Sequence, residues 1–266
     1  MHSNLDRVKN KILNKELAIG TAVTLANPVI PEIYSNCGFD FIWIDTEHSP
    51  IDVINLDLII MTIRNTGMAP FVRVPGADPL QLKKVLDMGP AGIIFPQLRN
   101  IEEIKYAVSC CKYPPDGIRG YGPRRPVNYG IMNYNEYSKL SDSEPWIIIQ
   151  IENIDVVNNL KEVLKIKGVD SVAVGPSDLS FSIGFPNNIT HPDVLKAFDY
   201  IGKICRESNV PLGIPIGTAD VEDVKLWLKR GVSWIQGDGD GSHILSGGMN
   251  SYNIIKKAYE EVKNKS

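Results

Sequence analysis

Short apolar runs alternate along this chain with longer stretches of helical period, the pattern of repeated βα units and a parallel sheet. Eight runs read as strands: Leu17–Leu25, Phe39–Asp45, Ala69–Val74, Gly92–Phe95, Trp146–Ile151, Ser171–Val174, Pro211–Ile216 and Ser233–Gln236. Between them lie helical stretches such as Asp78–Met88. There Leu80, Leu82, Val85 and Leu86 give an apolar face, Asp78 can cap the start and Gly89 stops the helix. Helix and strand alternating to eight predict a (β/α)8 barrel of the α/β class. One connection, Cys111 to Glu144, is too long for an ordinary barrel loop. It contains PPDGIRGYGPRRPVNYG, and long loops in compact domains are usually functional or disordered. The last segment, Ser251–Lys263, places Ile254, Ile255, Ala258, Tyr259 and Val262 on one face. It predicts a helix over about 251–264 that packs on its own barrel or is exchanged with a neighbouring subunit.

Polar side chains stand where several of these strands end. FIWID, Phe41–Asp45, runs directly into Thr46-Glu47-His48. Arg73 follows Pro70–Val72, Glu152 follows Trp146–Ile151, and Asp178 follows Ser171–Val174 in GPSDLS. A parallel β/α barrel draws its catalytic groups from the C-terminal ends of different strands, so these residues share one mouth. Glu152 and Asp178 can each cap or charge-complement the helix that follows. With Gln150 on the same strand face as Glu152, they also suit Mg²⁺ or Mn²⁺, which take two carboxylates plus waters and a bidentate oxygen ligand. Arg73 is costly to bury alone and should face an anion. A lone His is more often structural or at the surface than catalytic, but the place of His48, three residues past Asp45 and beyond a strand end, favours a base.

Composition narrows the choice. The 266 residues, 43% of them hydrophobic, suffice for one domain spanning the whole chain, with no second domain expected. A formal net charge of −3 without blocks of like charge lacks the footprint of a nucleic-acid binder. The cysteines Cys37, Cys110, Cys111 and Cys205 show no paired framework, and reduced thiols are expected. No apolar stretch approaches the ~20 residues of a membrane span, and the first residues lack a signal-peptide core. A cytoplasmic protein is expected.

The strand ends contain no lysine, which disfavours Schiff-base and pyridoxal chemistry. G-x-S-x-G, the P-loop pattern and G-x-G-x-x-G do not occur. Gly237–Ser242 (GDGDGS) fails the spacing of a calcium loop and should instead let backbone approach a ligand at the mouth.

The runs FIWIDTEHSP, FVRVPGADPLQLKKVLDMGPAGIIFPQ, PPDGIRGYGPRR, IIQIEN and GVDSVAVGPSDLSFSIG, with His191-Pro192, resemble the HpcH/HpaI class II pyruvate aldolases, whose better-known members cleave 4-hydroxy-2-oxoheptanedioate. The resemblance covers roughly Ile19 to Gly237. It implies a metal-dependent (β/α)8 barrel of the phosphoenolpyruvate/pyruvate-domain kind, cleaving a 4-hydroxy-2-oxo acid to pyruvate and an aldehyde. It implies Glu152 and Asp178 as ligands of Mg²⁺, Mn²⁺ or Co²⁺, His48 as base, Asp87 in VLDMG as its partner and Arg73 as stabiliser of the enolate. Gln150 and the backbone at Ser177-Asp178 would hold pyruvate. Asp45 and Glu47 share the motif as possible supports around that first set. The resemblance further implies a homo-oligomer, trimer or hexamer. Oxaloacetate decarboxylation and macrophomate-synthase-like bond formation use the same enolate and are the alternatives, and a non-catalytic keto-acid binder would need no base.

The chain departs from the family's better-known members at Leu98-Arg99-Asn100, at Ser177 and at WIQGDGDGSHILSGG. These departures bear on the aldehyde, so the heptanedioate substrate is not carried over. Arg124 and Arg125 in the long loop are candidates to meet a distal carboxylate or phosphate, with a solvated basic loop as the alternative.

Overall fold

In a computed structural model, residues 3–217 and 220–264 are described. The chain opens with helix α1 (Leu5–Leu13) and then runs β1 (Ala18–Val23), α2 (Val29–Tyr34), β2 (Phe41–Asp45), α3 (Val53–Asn65), β3 (Ala69–Arg73), α4 (Pro79–Asp87) and β4 (Gly92–Phe95). After α5 (Ile101–Cys111) comes the long connection, holding a 3-10 turn at Asn128–Gly130 and α6 (Tyr134–Ser141). The second half follows as β5 (Trp146–Ile151), α7 (Ile154–Asn158), α8 (Leu160–Val163), β6 (Ser171–Val174), α9 (Pro176–Ile183), α10 (Pro192–Ser208), β7 (Leu212–Pro215), α11 (Val221–Lys229), β8 (Trp234–Gly239) and α12 (Asp240–Lys263). The eight strands pair in parallel, in sequence order, and β8 closes on β1. All eight expected strands are present, with ends shifted by up to three residues.

Side chains alternate in and out along each strand, and most of both sets are buried, Ile19 of β1 being an exposed exception. The outward set, including Ile42, Ile44, Val72, Ile93, Ile147, Ile149 and Val174, packs against the helices. The inward set fills the barrel with Phe41, Trp43, Phe71, Ile94, Trp146, Ile148 and Trp234. Phe41 and Phe71 stack at 5.0 Å and Trp234 meets Phe41 edge-on at 5.5 Å. Each such side chain contributes about 1.5–3 kcal/mol by burial. At the base, α1 sends Leu5 and Val8 into this same cluster. It is fastened there by Arg7 and Lys11, which bond the buried Asp40 at 3.0 and 2.8 Å.

Helix α4 matches expectation: the Asp78 side chain accepts from the Leu80 N–H, Pro79 occupies the first turn, and Gly89 adopts a φ of 77° just beyond the end. The long connection is more ordered than its composition suggested. Asn133 and Glu136 form a reciprocal capping box that starts α6. The C-terminal helix also differs from expectation, beginning at Asp240 and running 24 residues. Beyond Asp240 its described side chains are exposed, and it meets its own barrel near its start, where the Tyr34 hydroxyl lies 2.8 Å from His243 Nδ1.

Candidate active site

The inward side chains change character as they climb. Along β2 they are Phe41, Trp43 and then Asp45; along β5 they are Trp146, Ile148, Gln150 and then Glu152, just past the strand end. Period-2 alternation thus sets polar groups on top of the apolar plug, and parallel register brings Asp45 opposite Arg73.

Arg73 donates from Nε to Asp45 Oδ1 at 3.1 Å and from Nη2 to Asp45 Oδ2 at 2.7 Å. Its Nη1 lies 3.1 Å from Glu47 Oε2, an ion pair without hydrogen-bond geometry. The anion Arg73 was expected to face is, within the chain, this pair of carboxylates. Asp45 Oδ1 also accepts from the N–H groups of Glu47 and His48, which ties down the loop carrying His48. Burial raises the Asp45 pKa, but the Arg73 bonds and charge, with those N–H groups, hold it below the ordinary carboxylate value. Burial instead wins at Glu47, whose pKa is raised despite Arg73 and His48. His48 stands at the rim, its side chain 68% exposed, with Nε2 3.5 Å from Glu47 Oε2.

Glu152 is buried, and its Oε2 accepts from the Gln97 N–H at 2.8 Å. Burial pushes its pKa up to about 7, and the negative charges of Asp178 and Glu47 push the same way. The room it occupies depends on Gly175, where a Cβ would lie 2.5 Å from Glu152 Cγ. Neither carboxylate caps the helix that follows it. Asn153 caps α7, and Asp178, in the first turn of α9, takes no hydrogen bond or ion pair among the described residues. Gln150 is buried with its Oε1 unpartnered. It lines a cavity of about 390 Å³ together with Gly175, Ser177 and Asp178, walled by Ile189 and Trp227. Of the four carboxylates Asp45, Glu47, Glu152 and Asp178, the first two pair with Arg73, and the other two make no ion pair among the described residues. Among the described residues no group of three or more His, Cys, Asp or Glu is placed to hold a metal. The oxygen donors that are present suit a hard divalent ion whose remaining ligands are substrate and water: an unbonded Asp178, a buried Glu152 repelled by it, and an orphaned amide beside them.

Four expectations meet a different arrangement within the chain. Asp87 is not beside His48 within the chain. It ends α4, which runs from the mouth back toward the base, and its Oδ1 accepts from Arg119 Nη2 at 3.0 Å. Arg125 does not overhang the mouth. It is clamped on the helical layer, donating to Asp57 Oδ1 of α3 at 2.6 Å and to the Met88 carbonyl at 2.9 Å. Arg124 beside it is exposed. The Gly237–Ser242 segment, expected to let backbone approach a ligand at the mouth, completes β8 and starts α12. Its Asp240 is buried and accepts from the Thr24 N–H and hydroxyl and from the Leu25 N–H, locking β8 to the end of β1. Lastly, α12 starts eleven residues earlier than its expected start at about 251. Sequence reasoning also passed over Gln97, Gly175 and Trp227. The glycine before PSD and the glutamine closing FPQ were the available signals.

A family model for HpcH/HpaI aldolase/citrate lyase matches residues 19–246. The chain belongs to this family. Among curated HpcH/HpaI relatives, a 5-keto-4-deoxy-D-glucarate aldolase of Enterobacter sp. (strain 638) is 33% identical over 232 residues, covering 86% of this chain and 89% of the relative. An HpcH/HpaI aldolase from Desulfitobacterium hafniense DCB-2 superposes with a TM-score of 0.85 at 27% identity, covering 93% of this chain and 96% of that one. A family protein from Burkholderia cenocepacia J2315 also gives 0.85, at 26% identity, over 96% and 100% of the two chains. As an HpcH/HpaI member the chain is an enzyme of the lyase class with the aldolase barrel. No helix among the described residues is long and apolar enough to cross a membrane.

Proposed function

We propose that this chain is a divalent-metal aldolase that splits a 4-hydroxy-2-oxo acid into pyruvate and an aldehyde, or runs the reverse addition, with Mg²⁺ or Mn²⁺ and with Co²⁺ as a substitute. The observation that carries the proposal is the surplus of carboxylate at the mouth: Glu152 and Asp178, side by side and without an ion pair among the described residues, next to the unpartnered Gln150 Oε1. An ion held by Glu152 and Asp178 would supply Lewis acidity toward the charge that builds on the keto acid. Gln150 and the free N–H groups at Ser177-Asp178, in the first turn of α9, hold the pyruvate carboxylate. Arg73, fixed by Asp45 and Glu47, offers positive charge that needs no reorganisation as the enolate forms. In cleavage His48 takes the hydroxyl proton, the carbon–carbon electron pair passes to the pyruvate fragment, and that enolate is protonated at its methyl carbon.

The test is exchange of pyruvate methyl protons in D₂O. Exchange is expected with Mg²⁺ or Mn²⁺ and should vanish in chelator, with no borohydride-trapped adduct. Full exchange in excess chelator, or a trapped adduct, overturns the proposal.

Asp87 can serve His48 only from another subunit, since its own α4 carries it toward the base. We assign it that role, in a homo-oligomer of trimeric or hexameric form in which α12 is exchanged. The exposed stripe of Leu245, Met249, Tyr252, Ile255 and Tyr259 on α12 supports this. Mixing inactive His48→Ala and Asp87→Ala chains should restore activity if the pair forms between subunits. The unpaired cysteines fit a reducing, cytoplasmic setting.

A further inference from the structure

Next to Glu152 and Asp178 lies a second cavity, of about 360 Å³, which does not include Gln150 and which the pyruvate half of the reaction leaves unused. Glu152, Asn153 and Asp178 line it, Phe181 provides an apolar wall, and Arg99 is its one basic residue. The position of Arg99 is fixed from both sides. Upstream, the Gln97 N–H is bonded to Glu152 itself, with Gln97 held in the left-handed region at φ 58°. Downstream, Asn100 caps α5, and the Glu103 carboxylate is taken up by the Arg99 N–H at 2.8 Å and by Asn100 Nδ2 at 2.9 Å. The backbone is thus pinned while the nearby carboxylate is spent on main chain and cap. The Arg99 guanidinium makes no ion pair among the described residues, whereas Arg73, Arg119, Arg125 and Arg230 each hold a carboxylate.

We propose that Arg99 is the specificity-determining residue for the aldehyde, binding the distal anion, carboxylate or phosphate, of an acidic aldehyde. The proposal rests on the aldolase function above. A negatively charged tail entering this mouth meets Asp45, Glu47, Glu152 and Asp178, and needs a local positive charge to be held there. A guanidinium offers two parallel donors to a carboxylate or phosphate. The cavity has room for a short acyl chain between that anion and a carbonyl carbon beside the metal carboxylates.

The experiment compares wild type, Arg99→Lys and Arg99→Ala, each metal-loaded, in addition of pyruvate to succinic semialdehyde, glyceraldehyde 3-phosphate, butanal and glyceraldehyde. Pyruvate methyl-proton exchange is measured alongside. Arg99→Ala should lower kcat/KM about tenfold or more for one acidic aldehyde, mostly through KM, and change the neutral aldehydes by less than about twofold. Exchange should be unchanged, with the lysine variant in between, and whichever acidic aldehyde responds identifies the anion. Equal losses on acidic and neutral aldehydes, no loss on either acidic one, or loss of exchange overturns the proposal. Wild type that exchanges pyruvate protons but uses neither acidic aldehyde overturns it too. Wild type without metal-dependent exchange refutes the aldolase function instead, so the two failures are separable.

Discussion

Strand β2 is bracketed by two aspartates that the protein treats in opposite ways. Asp40, just before it at the base, is fully buried and accepts from Arg7, Lys11 and the Ile19 N–H. Two cations serve one carboxylate. Asp45, at the other end, shares Arg73 with Glu47, and Glu152 and Asp178 beside them make no ion pair among the described residues. A barrel's base is built for stability and its mouth for chemistry. Here the difference is one of charge balance: the base is neutralised from within the chain, and the mouth is left short of positive charge that a metal ion and substrate-binding groups would supply.

The largest effect expected from breaking this contrast is at Glu152 and Asp178, the proposed metal ligands. Glu152→Gln and Asp178→Asn should each lower pyruvate exchange by about 10³-fold or more, the equivalent of several kcal/mol, without lowering the melting temperature. Asp40→Asn should do the reverse. It should cost about 1–3 kcal/mol, or several degrees in a thermal melt, while turnover per folded molecule stays the same. Three variants with one phenotype would erase the distinction between the two ends.

Within the mouth, Arg73 and His48 should separate by reaction. Arg73→Ala should lower both cleavage and exchange by ~10²–10³, because it removes charge from the enolate. His48→Ala should lower cleavage by ~10²–10⁴ and spare much of any oxaloacetate decarboxylation, in which no hydroxyl proton is removed. Parallel losses in every assay would assign both residues to one role.

The gathering of these polar groups at one mouth was legible in sequence because strand-end polarity is a one-dimensional signal: FIWID and WIIIQIE show where an inward alternation turns from apolar to charged. The barrel was legible for the same reason. What could not be read was which end of a helix faces which end of the barrel. Asp87 sits in a matching motif and yet closes α4 near the base, and Arg125 finds Asp57 sixty-eight residues away. Gln97 was hidden differently, since it is the backbone N–H of that residue that reaches Glu152. The start of α6 was missed although Asn133 and Glu136 carry the capping spacing.

A smaller effect sharpens the charge argument through pH. The native protein holds the Glu152 proton up to about pH 7, against an ordinary value of 4.5. In metal-free protein this group therefore favours the folded state at low pH, and that contribution is lost as pH rises through about 7. Melting temperature in chelator should fall over that window on its account, and Glu152→Gln should flatten the fall. An unchanged slope in the variant would place the proton elsewhere.

The smallest effect belongs to the helical layer. Arg125→Ala, which unpins α3 from the end of α4, should cost about 1 kcal/mol in a denaturant titration, since Asp57 is partly solvated, and leave kinetics on every aldehyde unaltered.

Helix α12 extends about 36 Å from β8 and touches its own barrel only near its start. In the proposed oligomer a second copy would cover its apolar stripe, and part of the folding free energy would be delivered only when two chains meet. Mass action then enters the stability of each barrel: the unfolding midpoint should climb with the logarithm of protein concentration, and dilution alone should act as a mild denaturant.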